Sequence, residues 1–256
     1  MKNHTKRFYS QNGEDCILDE LFKDQRTGFF VEIGCIDGKR FSNTLTFEER
    51  GWKGLCVEAH TGYIELLEQN RPNSIICHCA ASFSDEENVP FYANNRGSLS
   101  TLDPTKEDEF KQRFGKFFAG FELQHVPKRK LDTIFEQYNI NHIDILSIDV
   151  EGNEEDVLKG LNLEKYRPRV MVIEADTPTD EEKLDRILLN AGYSKSIKIV
   201  NNVFYLLDKQ KEEVLKNRKL EATLIHTQHP LDSDGDMMMS FSFQYPGPAI
   251  TQRKSI

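Results

Sequence analysis

The chain has 256 residues, of which 42 are Asp or Glu and 33 are Lys or Arg, so its formal net charge is −9. Hydrophobic residues at 38% and charged residues at 29% are typical of a soluble globular protein and exclude a disordered or fibrous chain. The surplus of acids argues against a broad phosphate-binding surface, so nucleic acid is not expected as a partner.

Helix and strand patterns alternate along the first 207 residues. Helical spacing of apolar residues indicates helices, and short apolar runs rich in β-branched residues indicate buried strands. Residues 88–104 look irregular or hairpin-like. In chain order, the patterns predict a helix over 14–23, a strand over 28–34, a helix over 42–51 capped by Ser42 or Asn43, a strand over 53–59, a helix over 61–70, a strand over 74–81, helices over 105–118 and within 126–138, a strand over 142–149, a helix over 153–161, a strand over 169–175, a helix over 180–193 and a strand over 201–208.

Two further patterns bear on the cellular location of the protein. No apolar run approaches the roughly 18–20 residues that cross a bilayer, and the first residues lack the apolar middle of a signal peptide. The five cysteines are odd in number and mostly lie inside apolar runs, which indicates reduced core residues. We therefore expect a cytoplasmic protein without a membrane span.

Strands that alternate with helices of about 10–15 residues predict right-handed crossovers and a mostly parallel sheet with helices on both faces. Such α/β sheets bind ligands beyond the carboxyl ends of their strands, at the point where the strand order reverses. Acidic or small residues occupy five such ends, which indicates an active cleft there. These ends are Glu32 to Gly38, Glu58, the segment after Cys79, Asp149 to Gly152, and Glu174 to Asp176.

The loop after the first strand contains Gly34 and Gly38, which allow a sharp turn and a close approach by a ligand. The loop is not GxGxxG, so a non-phosphorylated nucleoside is favoured over a pyrophosphate. Glu58 ends the second strand, where a carboxylate can accept hydrogen bonds from both ribose hydroxyls. Together these residues predict an adenosine-type ligand.

Four acids lie at the last two of these strand ends. Asp149 and Glu151 are two residues apart and share a face if the strand continues, and Glu174 and Asp176 repeat the pattern. Clustered carboxylates repel one another unless a cation or hydrogen-bond donors lie among them. Hard divalent cations such as Mg²⁺ or Mn²⁺ prefer oxygen ligands of this kind.

The sequence resembles the FkbM-type methyltransferases over about residues 8–207. The likeness rests on YSQNGEDCIL, FVEIGCIDGKRFSNT, the strand end VEA and LDTIFEQYNINHIDILSIDVEGNEEDVLKGL. It implies S-adenosyl-L-methionine as cofactor and O-methylation of a sugar or polyketide hydroxyl. It also implies a Rossmann-like class I methyltransferase sheet, α/β in class, with seven mostly parallel strands and the last strand antiparallel. We therefore expect residues 1–207 to form the methyltransferase domain.

The resemblance also assigns cofactor-binding roles. Two features depart from the family pattern: Glu32 stands where Asp is common, and Cys35 and Ile36 replace small polar residues. The implied roles are the methionine and ribose side for Glu32, Gly34 and Gly38; the ribose hydroxyls for Glu58; the adenine face for Ala81 and Ser82; the rim for Asn43 and Thr44; and approach from the N-terminal segment for Gln11 and Asp15.

Methyl transfer from a sulfonium needs in-line alignment and help in deprotonating the acceptor hydroxyl. In one version a metal held by Asp149 and Glu174, with Asp176, binds the acceptor oxygens. In the other, Asp149 or a histidine acts as the base. The catalytic candidates are Asp149, Glu151 and His125, with His226 and His229 as further histidines in loops expected to cover the cleft.

Two alternative classes of function, and the structure of the C-terminal tail, are left open by the sequence. A nicotinamide-dependent oxidoreductase predicts a GxGxxG loop, which is missing, and a non-catalytic nucleoside- or partner-binding protein predicts lost acids, which are present. For 208–256 we expect a charged helix over 209–224 and then an irregular tail. The alternatives are that it covers the cleft, exchanges with a partner subunit in a homodimer, or is partly loose. The acceptor is a small-molecule or glycan hydroxyl.

Overall fold

The computed structural model describes residues 7–95 and 98–209, and the backbone of four short segments beyond them. The helices are α1 (Glu14–Leu21), α2 (Leu45–Glu49), α3 (Ile64–Asn70), α4 (Lys106–Phe114), α5 (Leu131–Gln137), α6 (Glu154–Lys159) and α7 (Pro178–Leu188). The strands are β1 (Phe29–Ile33), β2 (Lys53–Glu58), β3 (Ser74–His78), β4 (Ala80–Ala81), β5 (Glu86–Ala93), β6 (Glu122–Arg129), β7 (Ile145–Ile148), β8 (Val170–Glu174), β9 (Tyr193–Ile199) and β10 (Asn202–Leu207).

Seven strands form the main sheet in the order β3-β2-β1-β7-β8-β10-β9. The first five are parallel, and β10 runs antiparallel to both of its neighbours. The predicted class I methyltransferase sheet, with its last strand antiparallel, is therefore confirmed. The strand order reverses between β1 and β7, so the ligand crevice is expected beyond the carboxyl ends of these two strands.

Alternation along the strands divides the core between the two faces of the sheet. On β1, Val31 and Ile33 join one buried cluster, whereas Phe30 joins the cluster on the opposite face. The second cluster includes Trp52, which packs edge-on against Phe47 with ring centroids 4.8 Å apart. All five cysteines are free and buried, as their apolar surroundings predicted. Within the described residues, no helix combines the length and apolar character needed to cross a bilayer.

A second, three-stranded sheet in the order β4-β6-β5 lies between the third and fourth strands of the main sheet along the chain. The sequence patterns missed it: residues 74–81 form two strands that break at Cys79, and much of the region expected to be irregular or the start of a helix is the β5–β6 pair. Pairing of β5 with β6 spans the intervening helix α4, a long-range contact that local periodicity does not report.

Other boundaries also differ from the predictions. Helix α2 begins at Leu45, and its N-cap is Thr44 instead of the expected Ser42 or Asn43. The Ser42 hydroxyl, three residues before Leu45, accepts the Leu45 backbone N–H at 3.0 Å. Strand β9 was not predicted. In the tail, residues 220–223 form a strand paired with 240–243, not the end of the expected helix, and 227–228 pair with 236–237. Of the rest of that helix, residues 210–219 lie outside the described residues.

Candidate functional site

Two adjoining cavities open at the carboxyl ends of the central strands. Cavity 1 lies beyond β1, β2 and β4, and cavity 2 lies beyond β1, β7 and β8. Their empty volumes, which extend into open solvent, are about 640 and 690 Å³. The cavities meet along a shared wall of Gly34, Ile36, Ser98, Asp149 and Glu151.

Gly34 directly follows β1 and lies against Asp149, which directly follows β7. Its φ is +83°, and a β-carbon at this position would lie 1.7 Å from the backbone oxygen of Asp149. Only glycine fits, so the strand end can approach Asp149 without a side chain in the way. Gly38 has a different role from the one expected. It does not line either cavity, and its α-carbon packs on the side chains of Arg71 and Leu67.

The carboxylate of Glu32 is occupied by the protein itself. It accepts hydrogen bonds from the Ser42 hydroxyl, the Asn43 backbone N–H at 2.7 Å and the Thr44 hydroxyl at 2.7 Å, and it pairs with Arg71 at 2.9 Å. These donors account for its roughly four lone-pair sites. Glu32 lies at the wall of cavity 2 but holds the 42–44 loop in place, which corrects its expected contact with the cofactor.

Three other residues with implied cofactor roles are placed differently. Thr44 is fully buried in the Glu32–Arg71 network. Asn43 lines cavity 2 and donates to the Ser147 hydroxyl at 3.0 Å. Asp15 is buried away from both cavities, where its carboxylate accepts the Tyr9 backbone N–H at 2.6 Å. Burial raises the pKa of Asp15 to about 6. Gln11 reaches the crevice, but at cavity 2.

Glu58 lies in the wall of cavity 1, at the end of β2. Its two carboxylate oxygens accept the backbone N–H groups of Ile36 and His60, both at 2.7 Å. Burial raises the pKa of Glu58 to about 7. The backbone N–H groups of Cys35 and Ala59 also oppose the effect of burial on this pKa.

The remainder of cavity 1 is largely apolar. Ala81 lines it, together with Phe91 and Leu102, and offers a flat apolar surface. Ser82, which was expected beside Ala81, is buried behind it and donates its backbone N–H to Arg129. His60 also lines the cavity and was not singled out in the sequence, although it lies only two residues beyond Glu58.

Asp149, Glu151 and Glu174 form a cluster in the wall of cavity 2, with one carboxylate oxygen from each within 4.8 Å of the others. Burial raises the pKa of Asp149 to about 6. Burial and the neighbouring carboxylates raise the pKa values of Glu151 and Glu174 well above their usual range. Such a cluster must bind protons or a cation.

Asp176, which was predicted as a metal ligand with Asp149 and Glu174, lies in the wall of cavity 2 but outside this three-residue cluster. It forms a two-pronged ion pair with Arg113 of α4, at 2.6 and 2.9 Å. Burial alone would raise its pKa, but the bonds from Arg113 hold the pKa of Asp176 below its ordinary value. Glu151 takes its place in the cluster. Arg113 could not be singled out from the sequence, because it is one of many charged residues in its helix.

The backbone at Glu151 is itself unusual. Its φ is +56°, in the left-handed region that non-glycine residues rarely adopt. The Thr101 hydroxyl donates to the Glu151 carbonyl oxygen at 3.2 Å. The Glu154 carboxylate accepts the N–H groups of Val150 and Gly152, at 3.0 and 3.1 Å. These bonds hold the strained turn that brings the Glu151 side chain to Asp149.

The histidine predictions are not supported by the described residues. His125 lies in strand β6 and not in a loop, is exposed, and lines neither cavity. His125 therefore does not face the crevice, and this position does not fit the catalytic role expected for it. His226 and His229 lie outside the described residues.

Comparison with solved structures returns proteins of low sequence identity. They include precorrin 8w decarboxylase from Methanobacterium thermoautotrophicum (14% identity, 94% of this chain and 91% of that chain, TM-score 0.43). Precorrin-6y C5,15-methyltransferase from Geobacter metallireducens matches with 12% identity over 75% and 84%, and a TM-score of 0.40. Ribosomal protein L11 methylase from Lactobacillus delbrueckii subsp. bulgaricus matches with 7% identity over 76% and 77%, and a TM-score of 0.40.

A search of curated proteins returned no match. The model of the methyltransferase FkbM domain matches residues 32–195, which is more than half of the chain and spans β1 to β9. That segment contains the glycine turn, Glu58 and the whole acid cluster. The chain therefore belongs to the FkbM family of S-adenosylmethionine-dependent methyltransferases.

Proposed function

We propose that this methyltransferase transfers the methyl group of S-adenosylmethionine to a hydroxyl of a sugar or glycan. In this proposal cavity 1 binds the cofactor and cavity 2 binds the acceptor. The observation that carries it is the wall that the two cavities share, because Asp149 and Glu151 face both. A methyl donor on one side and a hydroxyl on the other would meet beside these carboxylates.

The residues of cavity 1 fit the cofactor. Glu58 places a carboxylate in the cavity wall, where it would face the ribose hydroxyls, and Ala81, Phe91 and Leu102 offer apolar surface to an adenine ring. Gly34 leaves room at the strand end because no β-carbon can be placed there. When bound, S-adenosylmethionine supplies an electrophilic methyl group on a sulfonium. The nearby carboxylates favour that positive charge.

The acid cluster fits a divalent cation. Among the described residues, no Lys or Arg lies within ion-pair distance of Asp149, Glu151 or Glu174. One carboxylate oxygen from each of the three residues lies within 4.8 Å of the others, and carboxylates this close repel one another unless protons or a cation lie among them. We propose that Mg²⁺ or Mn²⁺ binds to this cluster. Bound there, the ion would supply Lewis acidity that lowers the pKa of an acceptor hydroxyl.

Asp149 has a role in either version of the reaction. Its pKa is raised to about 6, which is nearer to pH 7 than the pKa of an ordinary carboxylate. A carboxylate with a higher pKa is a stronger general base. In the metal-assisted version Asp149 orients the cation. In the metal-free version it accepts the hydroxyl proton directly. The two versions differ in their dependence on divalent cations.

The test is methyl transfer from isotopically labelled S-adenosylmethionine to a pool of candidate glycans, followed by mass spectrometry. The proposal expects label on a sugar hydroxyl, loss of transfer in EDTA and recovery when Mg²⁺ or Mn²⁺ is added. Full transfer in metal-free buffer would favour Asp149 as the direct base. Label only on nitrogen, carbon or sulfur would contradict O-methylation.

A thermal-shift comparison separates the rival classes without an acceptor. Stabilisation by S-adenosylhomocysteine is expected, because a ligand that binds the folded state raises its melting temperature. Stabilisation by NAD(H) alone would instead indicate an oxidoreductase. No response to either ligand would favour a non-catalytic binding protein.

A further inference from the structure

Cavity 2 contains a cationic side chain that the proposed chemistry does not use. Arg40, in the loop between β1 and α2, lines this cavity together with the acid cluster and Arg113. An arginine in the wall of an acceptor cavity presents up to five N–H donors in a fixed plane. Its partners therefore show whether its charge is already used within the protein.

Within residues 7–95 and 98–209, the guanidinium of Arg40 has no carboxylate partner. Its guanidinium makes one long contact, from Nη2 to the Tyr63 hydroxyl at 3.4 Å, and lies 5.7 Å from the centre of the Tyr63 ring. Its Nε is buried without a hydrogen-bond acceptor. Among the described residues, no carboxylate lies within 4 Å of it, and Asp37 binds only its backbone N–H.

The other buried or cavity-lining arginines contrast with Arg40. Arg71 pairs with both Glu32 and Glu48, and Arg113 pairs through two bonds with Asp176. These pairs leave cavity 2 with an acidic cluster and one guanidinium that is half-buried and unmatched. A partly desolvated guanidinium is stabilised most by a planar or tetrahedral anion that accepts two of its N–H bonds.

We propose that Arg40 binds an anionic group of the acceptor, so that the enzyme methylates an acidic sugar, one that bears a carboxylate or a phosphate as well as the reacting hydroxyl. The inference rests on the proposed role of cavity 2. The acid cluster would act at the hydroxyl and Arg40 at the anion, which would fix the orientation of the sugar. A neutral sugar would leave the guanidinium without a partner.

The test compares three matched sugars with the chain loaded with S-adenosylhomocysteine: glucose, glucuronate and glucose 6-phosphate. Binding is measured by ligand-observed NMR titration, which needs no methyl transfer. Wild type is expected to bind at least one anionic sugar about tenfold or more tightly than glucose. The two anionic arms distinguish a carboxylate acceptor from a phosphate acceptor.

Two variants that each remove one positive charge separate a specific contact between Arg40 and the anion from a general electrostatic effect. Arg40→Gln is expected to remove the preference, whereas Lys39→Gln, at the exposed neighbouring residue outside the cavity wall, keeps it. If neither anion binds more tightly than glucose, or if both variants reduce the preference equally, the proposal is overturned. Binding of S-adenosylhomocysteine is recorded in parallel, and its loss would instead count against the proposed function.

Discussion

Gly34 and Asp149 meet at the point where the strand order of the sheet reverses, and a β-carbon on residue 34 would lie 1.7 Å from the Asp149 backbone oxygen. The same two residues lie in the wall between the two cavities. The close approach of β1 to the end of β7 therefore also positions the first carboxylate of the acid cluster beside the cofactor cavity.

We predict that Gly34→Ala destabilises the fold by at least about 2 kcal/mol, because it combines a positive φ with a steric clash against the backbone. Gly51→Ala is the matched control: Gly51 also has a positive φ, +92°, but a β-carbon there meets no atom within 4 Å. That variant should lose only about 1 kcal/mol. Urea unfolding measures both, and equal losses would contradict the importance of the Gly34–Asp149 approach.

Arg71 is fully buried and neutralises both Glu32 and Glu48 beneath the glycine loop. We predict that Arg71→Met costs about 3–5 kcal/mol of folding free energy, because two buried carboxylates lose their countercharge. Arg129→Met, which breaks an ion pair with the exposed Glu87, should cost less than about 1 kcal/mol. Denaturant titration compares the two, and a small effect at Arg71 would show that the loop does not depend on this network.

The stability of the unliganded chain should fall as pH rises through neutrality. Burial raises the pKa of Glu58 from 4.5 to about 7, so the folded chain holds this proton more tightly than the unfolded chain does. The resulting stabilisation is complete below pH 4.5 and is lost as pH passes 7, with a size of about 3 kcal/mol. Melting curves from pH 5 to 8 test this. Asp15, Asp149 and Glu154, whose pKa values are also raised, add to the same slope. Glu58→Gln, which cannot ionise, should therefore reduce the slope without abolishing it, and an unchanged slope would assign the effect to the other groups.

Binding of Mn²⁺ tests which acids form the metal site. Glu174→Gln should weaken calorimetric binding by at least about tenfold, because it removes one of three clustered carboxylates. Asp176→Asn should have a much smaller effect, because that carboxylate is already bound by Arg113. If Asp176→Asn is the more damaging substitution, the ion is held by the set first predicted from the sequence.

The sequence was sufficient for the architecture and for the location of the crevice. Residue spacing and the resemblance predicted the central strands, and the strand-end rule brought Gly34, Glu58 and Asp149 to one edge of the sheet, where the structure has them. Strand β9 was missed because its sequence, YSKSIKI, mixes lysines and serines with its apolar residues. The β5–β6 pair was missed because its pairing depends on residues far apart in the chain.

Side-chain partners were the part that the sequence could not supply. The resemblance gave Glu32 a cofactor role, but a buried arginine 39 positions further along the chain pairs with its carboxylate. Asp176 was grouped with the metal ligands by its spacing, yet Arg113 on a distant helix neutralises it. Glu151 enters the cluster only because its backbone adopts a positive φ, which residue type does not predict.

The central claim is that cavity 1 is the S-adenosylmethionine site with Glu58 at the ribose. Its most direct test is calorimetric binding of S-adenosylhomocysteine to wild type and to Glu58→Ala, with Glu68→Ala as an exposed control of equal charge change. We predict tight binding to wild type and to the control, and a loss of about 1–3 kcal/mol in Glu58→Ala through two missing hydrogen bonds. Equal affinity in all three proteins would contradict the claim.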